Sequence, residues 1–226
     1  MKFEFTTTAC VRPNILDQTY SSLSKALVDV DLKTEGTLYI NIDPVPDGSN
    51  HLIQEEIRIA QSHFHTVHYN IGAQGGNFST AASWVLNQPK GDYFLNIEDD
   101  WLFVKGRLCI EECINKIESD PRDNILQCVL GHIPIERNRI HFPPSVFQTS
   151  VIQSILKKFP IPKNANPEKW LIKIKTLKKL VDYNVTCIDG VRVRDNGKSW
   201  MRKNNYIKRR RPEDGKGNFT RWEKND

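Results

Sequence analysis

The first hundred residues alternate short β-rich runs with helix-like runs, and this alternation constrains the fold more than any other feature. Each β-rich run ends in a turn, and apolar residues at helical spacing follow. The predicted strands are 3–8, 37–43, 65–71 and 92–97, and the predicted helices are 16–27, 52–60 and 78–86. Such alternation is typical of βαβ units, so the sequence predicts an α/β fold with a mainly parallel sheet flanked by helices.

The second half of the chain is less regular, although it still contains recognisable elements. The predictions are a helix over 108–117, a strand over 125–130, helices over 143–156 and 166–181, and a strand over 185–188. Beyond Gly190 the sequence is basic and polar, and we expect it to be irregular. The predicted organisation is therefore one α/β domain, 1–190, followed by a basic C-terminal extension, 191–226.

Composition excludes several classes of protein. A chain of 226 residues can bury a full core in one domain. No apolar run approaches the ~18 residues of a membrane-spanning helix, and the first residues lack the apolar stretch of a signal peptide. The five cysteines form no Cys-x-x-Cys pair. These features predict free thiols in a reducing compartment, and hence a cytoplasmic protein.

Three consecutive acids, Glu98, Asp99 and Asp100, follow the fourth predicted strand. In open α/β sheets, ligands bind beyond the carboxyl ends of the strands. Adjacent carboxylates repel one another, and a hard cation such as Mg²⁺ or Mn²⁺ relieves that repulsion. Glu98 and Asp100 can point the same way on an extended backbone, one towards a metal and the other towards a sugar hydroxyl. The alternative is a helix N-terminus, where acids are favourable.

Positive charge is concentrated in the second half. Residues 151–226 hold 20 Lys and Arg against 8 Asp and Glu, whereas residues 1–150 hold 12 against 19. The stretch 202–211 holds six basic residues and no acid. This asymmetry favours an anionic partner, and the alternative is a solvated, Lys-rich surface.

Several motifs occur in a characteristic order along the chain. They are Arg12-Pro13 after the first strand, Asp43-Pro44 at the end of the second, Phe78-x-x-Ala81-x-x-Trp84, Ile97-Glu98-Asp99-Asp100-Trp101, and 193–200 with Asp195, Gly197 and Trp200. In this combination the chain resembles the GT-A class of nucleotide-sugar glycosyltransferases, from about residue 5 to 203. Within that class it is similar to the short stand-alone enzymes of phages, large viruses and bacteria. The common Asp-x-Asp motif of the class has Glu98 at its first position here.

The resemblance implies a metal-dependent hexosyl- or pentosyltransferase that uses Mn²⁺ or Mg²⁺ and a nucleotide-sugar donor, expected to be a UDP-sugar. It also implies roles for individual residues. Thr7, Thr8, Ala9 and Arg12 would lie along the nucleotide, Asp43 would face the base or ribose, and Asn77 would border the donor. Asp100 and Glu98 would bind the metal with Asp99 beside them, and Asp195 would support the metal or its waters. Arg192, Arg194, Lys198 and Arg202 would cap the diphosphate, and Glu168 would be the general base. The alternatives are a solvated basic tail for the cations and an ordinary first-turn acid for Glu168.

The surplus of positive charge predicts a polyanionic acceptor, since Lys and Arg bind nucleic acid through its backbone. The resemblance extends to enzymes that glycosylate hydroxymethylated bases in DNA, and such a base must leave the stack. Trp200 or Tyr206 is then a candidate stacking surface. The competing acceptors are a glycan, a protein side chain and a lipid-linked sugar at an anionic membrane. A non-catalytic nucleic-acid-binding protein is the alternative from a different class, which the acidic cluster disfavours.

Other potential sites have structural interpretations. His63, His65 and His68 are predicted to be surface or half-buried strand residues rather than metal ligands. Cys109 and Cys113 lie four residues apart on a predicted helix, where packing explains them. The glycines of 72–76 form no phosphate-binding P-loop, because the Lys-Ser/Thr that must follow is absent.

Overall fold

The computed structural model describes residues 2–119, 125–130, 142, 144–163, 165–177, 183–210 and 220–224. The strands are β1 (Phe3–Cys10), β2 (Thr37–Asp43), β3 (Thr66–Ile71), β4 (Tyr93–Glu98), β5 (Trp101–Lys105), β6 (Ile125–Leu130), β7 (Ser145–Gln148), β8 (Asn184–Ile188), β9 (Arg192–Asp195), β10 (Tyr206–Arg210) and β11 (Thr220–Lys224). The helices are α1 (Pro13–Ala26), α2 (Asn50–His63), α3 (Phe78–Asn87), α4 (Ile110–Glu118), α5 (Thr149–Lys158), α6 (Pro167–Ile172) and α7 (Gly197–Lys203). A π-helical segment, Lys173–Leu177, continues α6.

A seven-stranded sheet in the order β3-β2-β1-β4-β7-β6-β8 forms the centre of the fold. The strands β3, β2, β1 and β4 are parallel to one another. Strand β7 runs antiparallel to both of its neighbours, and β8 is parallel to β6. The predicted α/β architecture with a mainly parallel sheet is therefore confirmed. Two antiparallel pairs, β5–β9 and β10–β11, lie outside this sheet.

The hydrophobic core has two parts, because successive side chains of a strand point to opposite faces of the sheet. Leu95 contributes to the part that packs against α1, α2 and α4, whereas the neighbouring Phe94 contributes to the part that packs against α3, α5 and α6. Helices thus cover both faces, as burying parallel strands requires. No helix in the described part of the chain is both long and apolar enough to cross a bilayer.

Individual residues, some local and one distant in sequence, stabilise the starts of several helices. Pro13 opens α1, where its missing N–H costs nothing. The side chain of Asn77 accepts a hydrogen bond from the Thr80 amide at 3.1 Å and caps α3. The carboxylate of Asp29 accepts the amides of Ile110 and Glu111, at 3.0 and 2.9 Å, and so caps α4 from a distant segment.

The prediction of one helix over 143–156 is wrong in its first part. Ser145–Gln148 forms β7 between β4 and β6, and α5 begins only at Thr149. Ser145, Val146 and Phe147 are buried in the sheet. Pairing with two neighbouring strands therefore overrides the local helix-start signal of Pro and Ser.

The two C-terminal predictions also need correction. The helix predicted over 166–181 is α6 followed by the π-helical segment, and 178–182 lies outside the described residues. The described residues beyond Gly190 are not irregular, because β9, α7, β10 and β11 lie there, whereas 211–219 and 225–226 lie outside the described residues. Val191-Arg192-Val193-Arg194 alternates apolar and polar residues, a local strand signal that the prediction of irregular structure overlooked, and pairing with β5 completes strand β9.

Candidate functional site

The carboxyl ends of β1, β2 and β4 meet at one edge of the sheet. Cys10 of β1 is in register with Asp43 of β2, and Thr8 of β1 is in register with Glu98 of β4. The structure therefore brings the predicted nucleotide-side residues and the acidic cluster together. The side chains of Thr7, Thr8 and Ala9 are buried, so Cys10 is the partly exposed side chain at the open end of β1.

Arg12 forms a buried ion pair with Asp99, just after β1. Its Nη2 lies 2.6 Å from Asp99 Oδ1 and 3.1 Å from Asp100 Oδ2, and its Nε donates to Asp99 Oδ2 at 3.1 Å. The side chains of Arg12 and Asp99 are 2% and 4% exposed. Burial alone would lower the pKa of the Arg12 guanidinium, but Asp99 and Asp100 outweigh burial and raise it. Arg12 is therefore a permanent cation beneath the acidic cluster.

Asp99 is held by further bonds in addition to this ion pair. The Cys10 amide donates to its Oδ2 at 3.1 Å, and the Thr19 hydroxyl donates to its backbone carbonyl at 2.6 Å. Because both oxygens of this carboxylate accept hydrogen bonds from the guanidinium and one also accepts from a backbone amide, its hydrogen bonds are all made within the protein. Asp99 thus anchors Arg12 and lies beneath the surface that a ligand can reach.

Asp100 differs from Asp99 in its surroundings. Its side chain is 15% exposed, and Arg12 contacts it through one oxygen. Burial, together with the charges of Asp99 and Asp195, raises the pKa of Asp100 to about 6, against the opposing effect of Arg12. A carboxylate that is costly to ionise in place gains most from an added cation.

The segment from β9 to α7 closes over Asp100. Asp195 is in register with Trp101, and the Asn196 amide donates to the Asp100 carbonyl at 2.8 Å. Gly197 lies so close to the Asp100 carboxylate and Arg12 that a Cβ at this position would overlap the carboxylate. Only glycine therefore permits this approach, which brings Asp195 near the acidic cluster.

These residues fit a divalent cation, although they form no closed cage. Mg²⁺ and Mn²⁺ are commonly bound by one or two carboxylates, with water and phosphate oxygens completing the shell. Asp100 provides one such ligand, and Glu98, half-buried with Oε2 accepting the Trp101 indole N–H at 3.1 Å, lies two residues away. Within the described residues, no three His, Cys, Asp or Glu side chains converge as a complete metal cage.

Asp43 organises the other side of the site. Its Oδ2 accepts the Asn77 amide at 2.9 Å, and its Oδ1 accepts the Asn41 side-chain amide at 3.0 Å. Burial raises the pKa of Asp43, and these two hydrogen bonds oppose the rise. Gly72 lies directly against the carboxylate, so the loop of 72–77 wraps around Asp43. The end of β2 and the start of α3 are thereby fixed relative to each other.

The predicted general base, Glu168, lies in the first turn of α6 and is half-buried. The Ser79 hydroxyl donates to the Ala165 carbonyl, which ties the segment before α6 to the first turn of α3. Since α3 begins beside Asp43, the start of α6 lies on the Asp43 side of the site. The side chain of Asn166 caps α6 at the Lys169 amide, 2.9 Å away.

The predicted diphosphate-capping cations are exposed on β9 and α7. Arg194 lies on β9 opposite Leu102, and Lys198 and Arg202 lie one helical turn apart on α7. Trp200, between them, lies over the Arg12 guanidinium with 5.6 Å to the ring centre. The rings of Trp200 and Tyr206 stack at 5.5 Å with an interplanar angle of 4°.

Sequence reasoning missed Glu56, which is fully buried on α2 and accepts the Arg12 amide at 2.6 Å. Burial raises the pKa of Glu56 far above its usual value, and the charge of Asp99 adds to the rise. The signal was present in the sequence, because Glu56 interrupts the apolar face of α2 formed by Ile53, Ile57 and Ala60. An acid within a buried helix face indicates a specific buried partner.

The weaker sequence candidates have structural partners. His63 contacts Asp17 at 2.8 Å across α1 and α2, and His68 stacks on Tyr39. Cys109 lies beside Asp29 at the start of α4, and Cys113 is buried. None of these residues lies among the acids described above.

No protein-family model matches this chain, and no curated protein sequence matches it. Solved structures are similar to it. The mannosyltransferase PcManGT from Pyrobaculum calidifontis, solved with GDP-Man and Mn²⁺, is 9% identical with a TM-score of 0.60, over 83% of this chain and 55% of that one. TarS 1–349 from S. aureus, solved with UDP, is 13% identical with a TM-score of 0.51, over 83% of this chain and 61% of that one.

A third similar structure is the 4-diphosphocytidyl-2C-methyl-D-erythritol synthase from Anaerococcus prevotii. It is 13% identical with a TM-score of 0.50, over 84% of this chain and 87% of that one. The chain therefore spans about half the length of the mannosyltransferase and most of the length of the synthase. At these identities the likeness concerns the fold alone, and it shows that this chain has a GT-A-like α/β fold.

Proposed function

We propose that this chain is a metal-dependent glycosyltransferase that moves a sugar from a nucleotide-sugar, a UDP-sugar, to an acceptor hydroxyl. The observation that carries the proposal is the state of Asp100. It is a partly exposed carboxylate at the ligand-binding edge of a GT-A-like sheet, and its pKa is raised to about 6 because it is buried among other acids. Support also comes from PcManGT, solved with GDP-Man and Mn²⁺, and from TarS, solved with UDP.

On the donor side, the residues that meet at the sheet edge bind different parts of the nucleotide-sugar. Asp43 and Asn77, with the end of β1, bind the nucleoside, while Asp100 and Glu98 hold the divalent cation. When bound, the cation stabilises the negative charge that develops on the diphosphate leaving group. Arg194, Lys198 and Arg202 add positive charge from β9 and α7. Residues 191–226 thus complete a site that residues 1–190 begin.

On the acceptor side, Glu168 accepts the proton of the attacking hydroxyl. The acceptor oxygen forms a bond to the anomeric carbon of the sugar as the bond from that carbon to the diphosphate oxygen breaks. The nucleoside diphosphate leaves with the bonding electron pair. Glu168 is half-buried in the first turn of α6, and the hydrogen bond from Ser79 to Ala165 holds the start of that helix beside the start of α3, at the ligand-binding edge of the sheet.

The acceptor that we propose is polyanionic, and within that class it is a hydroxymethylated base in DNA. The charge of 151–226 supports this choice, because a diphosphate donor needs only a few positive groups and this segment has 20. The exposed positions of Arg194, Lys198 and Arg202 leave them accessible to such a partner.

Thermal unfolding with UDP and Mn²⁺, separately and together, tests the donor side. A ligand that binds only the folded state increases the free energy of unfolding, by about 2.7 kcal/mol at a concentration a hundredfold above its Kd, and so raises the melting temperature. We expect a shift that requires both components, and that Asp100→Asn abolishes. An equal shift with UDP alone, or an intact Mn²⁺ requirement in Asp100→Asn, would contradict the metal assignment.

A screen of nucleotide-sugars by mass spectrometry identifies the donor and provides the assay for Glu168→Gln. We expect transfer to fall at least about 100-fold, because general-base catalysis contributes roughly 10²–10⁴. Glu112→Gln is the matched control, since it removes an exposed acid from α4. Near-normal transfer by Glu168→Gln would remove Glu168 as the base.

Nucleotidyl transfer is a second candidate, because the chain matches most of the length of the Anaerococcus prevotii synthase. In that reaction a phosphate oxygen of the acceptor attacks the α-phosphorus of a nucleoside triphosphate, and pyrophosphate leaves. Incubation with each nucleoside triphosphate and a sugar phosphate distinguishes the two reactions. Pyrophosphate release without sugar transfer from UDP-sugars would favour this alternative.

A further inference from the structure

The β5–β9 ribbon has one buried and one exposed face. Trp101, Phe103 and Val193 pack into the core beside α1, and the Phe103 amide donates to the Ser22 hydroxyl at 3.0 Å. Leu102, Arg192 and Arg194 alternate with them, and a register shift between Phe103 and Lys105 brings Lys105 opposite Arg192, beside Val104. We call the opposite face, formed by Leu102, Val104, Lys105, Arg192 and Arg194, the ribbon face.

The ribbon face is basic and continues onto α7. Lys105 lies opposite Arg192, and Arg194 lies two residues further along β9, so three cations share one face. The ribbon face, all of which the structure describes, has no acidic side chain. Next along the chain, α7 exposes Lys198 and Arg202. Three like charges on a small ribbon repel one another, and an anionic ligand bound there would reduce this repulsion.

A stack of planar groups leads from this surface to the acidic cluster. Tyr206 stacks on Trp200, and Trp200 lies over Arg12, whose Nη2 contacts Asp100 at 3.1 Å. A polymer that carries phosphates on one side and flat rings on the other matches both features. Nucleic acid has this chemistry, whereas an anionic membrane offers charge without rings.

We infer that the ribbon face and α7 bind the backbone of a single-stranded nucleic acid, and that one of its bases extends the stack by packing on the ring of Tyr206. Single-stranded substrate fits because its bases reach a stacking surface without the cost of opening a duplex. The inference deepens the proposed function by naming the state of the acceptor. The binding itself needs neither donor nor metal.

Fluorescence anisotropy with a labelled DNA strand of about 20 nucleotides, without UDP or Mn²⁺, tests the binding surface. The test variant is Lys105→Glu/Arg192→Glu, and the matched control is Lys25→Glu/Lys33→Glu. Both variants reverse two exposed charges, but Lys25 and Lys33 lie at the end of α1 and in the loop before β2. We expect the test variant to bind at least about ten-fold more weakly, with a salt slope lower by about 1.4, and the control to bind within about two-fold of wild type.

Stacking is tested by Tyr206→Ala, with Tyr206→Phe as the conservative variant. Loss of a base–aromatic stack weakens binding by about five- to 150-fold, and Phe should restore it because the ring is kept. Trp200→Ala is less suitable because Trp200 also covers Arg12. A melting curve for each variant separates lost binding from lost folding.

Several outcomes would overturn the inference. These are unchanged binding in Lys105→Glu/Arg192→Glu, equal losses in test and control variants, a duplex of the same length bound as tightly as the single strand, or vesicles with anionic lipid bound as tightly as DNA. The UDP and Mn²⁺ melting experiment reports separately on the proposed reaction. If the protein binds the DNA strand but its melting temperature does not respond to UDP and Mn²⁺, the nucleic-acid-binding surface stands and the proposed glycosyltransferase activity is refuted.

Discussion

Asp99 and Asp100 are adjacent acids, yet the structure predicts opposite roles for them. Asp99 forms the buried ion pair with Arg12, whereas Asp100 contacts Arg12 through one oxygen and is partly exposed. We compare Asp99→Asn with Asp100→Asn, which remove the same charge and keep the same shape. The difference between the two variants isolates the environment of each carboxylate.

The magnitude for Asp99→Asn follows from the partner that remains. Removing one member of a buried ion pair leaves an uncompensated charge and typically costs about 3–5 kcal/mol. At about 2–4 °C for each kcal/mol in a chain of this size, the melting temperature should fall by roughly 6–20 °C. Asp100 still contacts Arg12 in this variant at 3.1 Å, which favours the lower part of the range.

Asp100→Asn should be neutral or stabilising at pH 7. The pKa of Asp100 is raised to about 6, mainly by burial, so the ionised form is disfavoured in the folded state. A group with a raised acid pKa costs stability at pH values above that pKa, and the neutral amide removes the cost. The same variant should lose the Mn²⁺-dependent stabilisation by UDP, which Asp99→Asn should keep if it folds.

Urea unfolding at pH 7 provides the measurement, with the m value as a check that both variants unfold as the wild type does. The reasoning is refuted if Asp100→Asn is the more destabilised variant, or if Asp99→Asn unfolds at the wild-type urea concentration. Either result would mean that Asp99 is not the buried partner of Arg12 in solution.

Three further predictions address the supporting structure. Asp29→Ala should cost about 1 kcal/mol in urea unfolding, because α4 loses its cap, and should leave stabilisation by UDP intact. Gly72→Ala should displace the Asp43 carboxylate, costing about 1–3 kcal/mol and weakening stabilisation by UDP; retention of both would contradict the packing of this loop. Burial raises the pKa of Glu4, but Lys2 and the backbone amides of 90 and 91 outweigh burial and lower it. Glu4 therefore stabilises the folded state above about pH 4.3, and this stabilisation is lost as the pH falls through the folded pKa. In acid unfolding, the stability of Glu4→Gln should depend less steeply on pH in that range.

Much of the fold was predictable because it depends on local patterns. The strands and helices of the first hundred residues follow from apolar periodicity and from turn residues, and the structure confirms each of them. The same patterns correctly indicated that Asp43 and the acidic cluster meet at one sheet edge, since parallel strands end together. The helix predicted over 16–27 begins three residues earlier, at Pro13.

Other features were not predictable from local patterns, because they depend on partners distant in sequence. Ser145–Gln148 carries a helix-start signal, yet it becomes β7 because two strands flank it. The partner of β9 is equally non-local, because β5 lies about 90 residues earlier in the chain, although the alternation of 191–194 is itself a strand signal. The different roles of Glu98, Asp99 and Asp100 are a further case. The three neighbouring acids look alike in the sequence, but Arg12 contacts both oxygens of Asp99 and only one oxygen of Asp100.

The sequence by itself determined the layered α/β architecture and the edge at which chemistry can occur, because hydrophobic periodicity and strand direction are properties of the chain. The tertiary structure decided which acid is structural and which is accessible. That choice rests on distances of about 3 Å between Arg12 and its two carboxylates, and on how much water reaches each of them. Two acids that are equivalent in the sequence differ in the structure, because burial sets the dielectric around each carboxylate and therefore the free energy of ionising it.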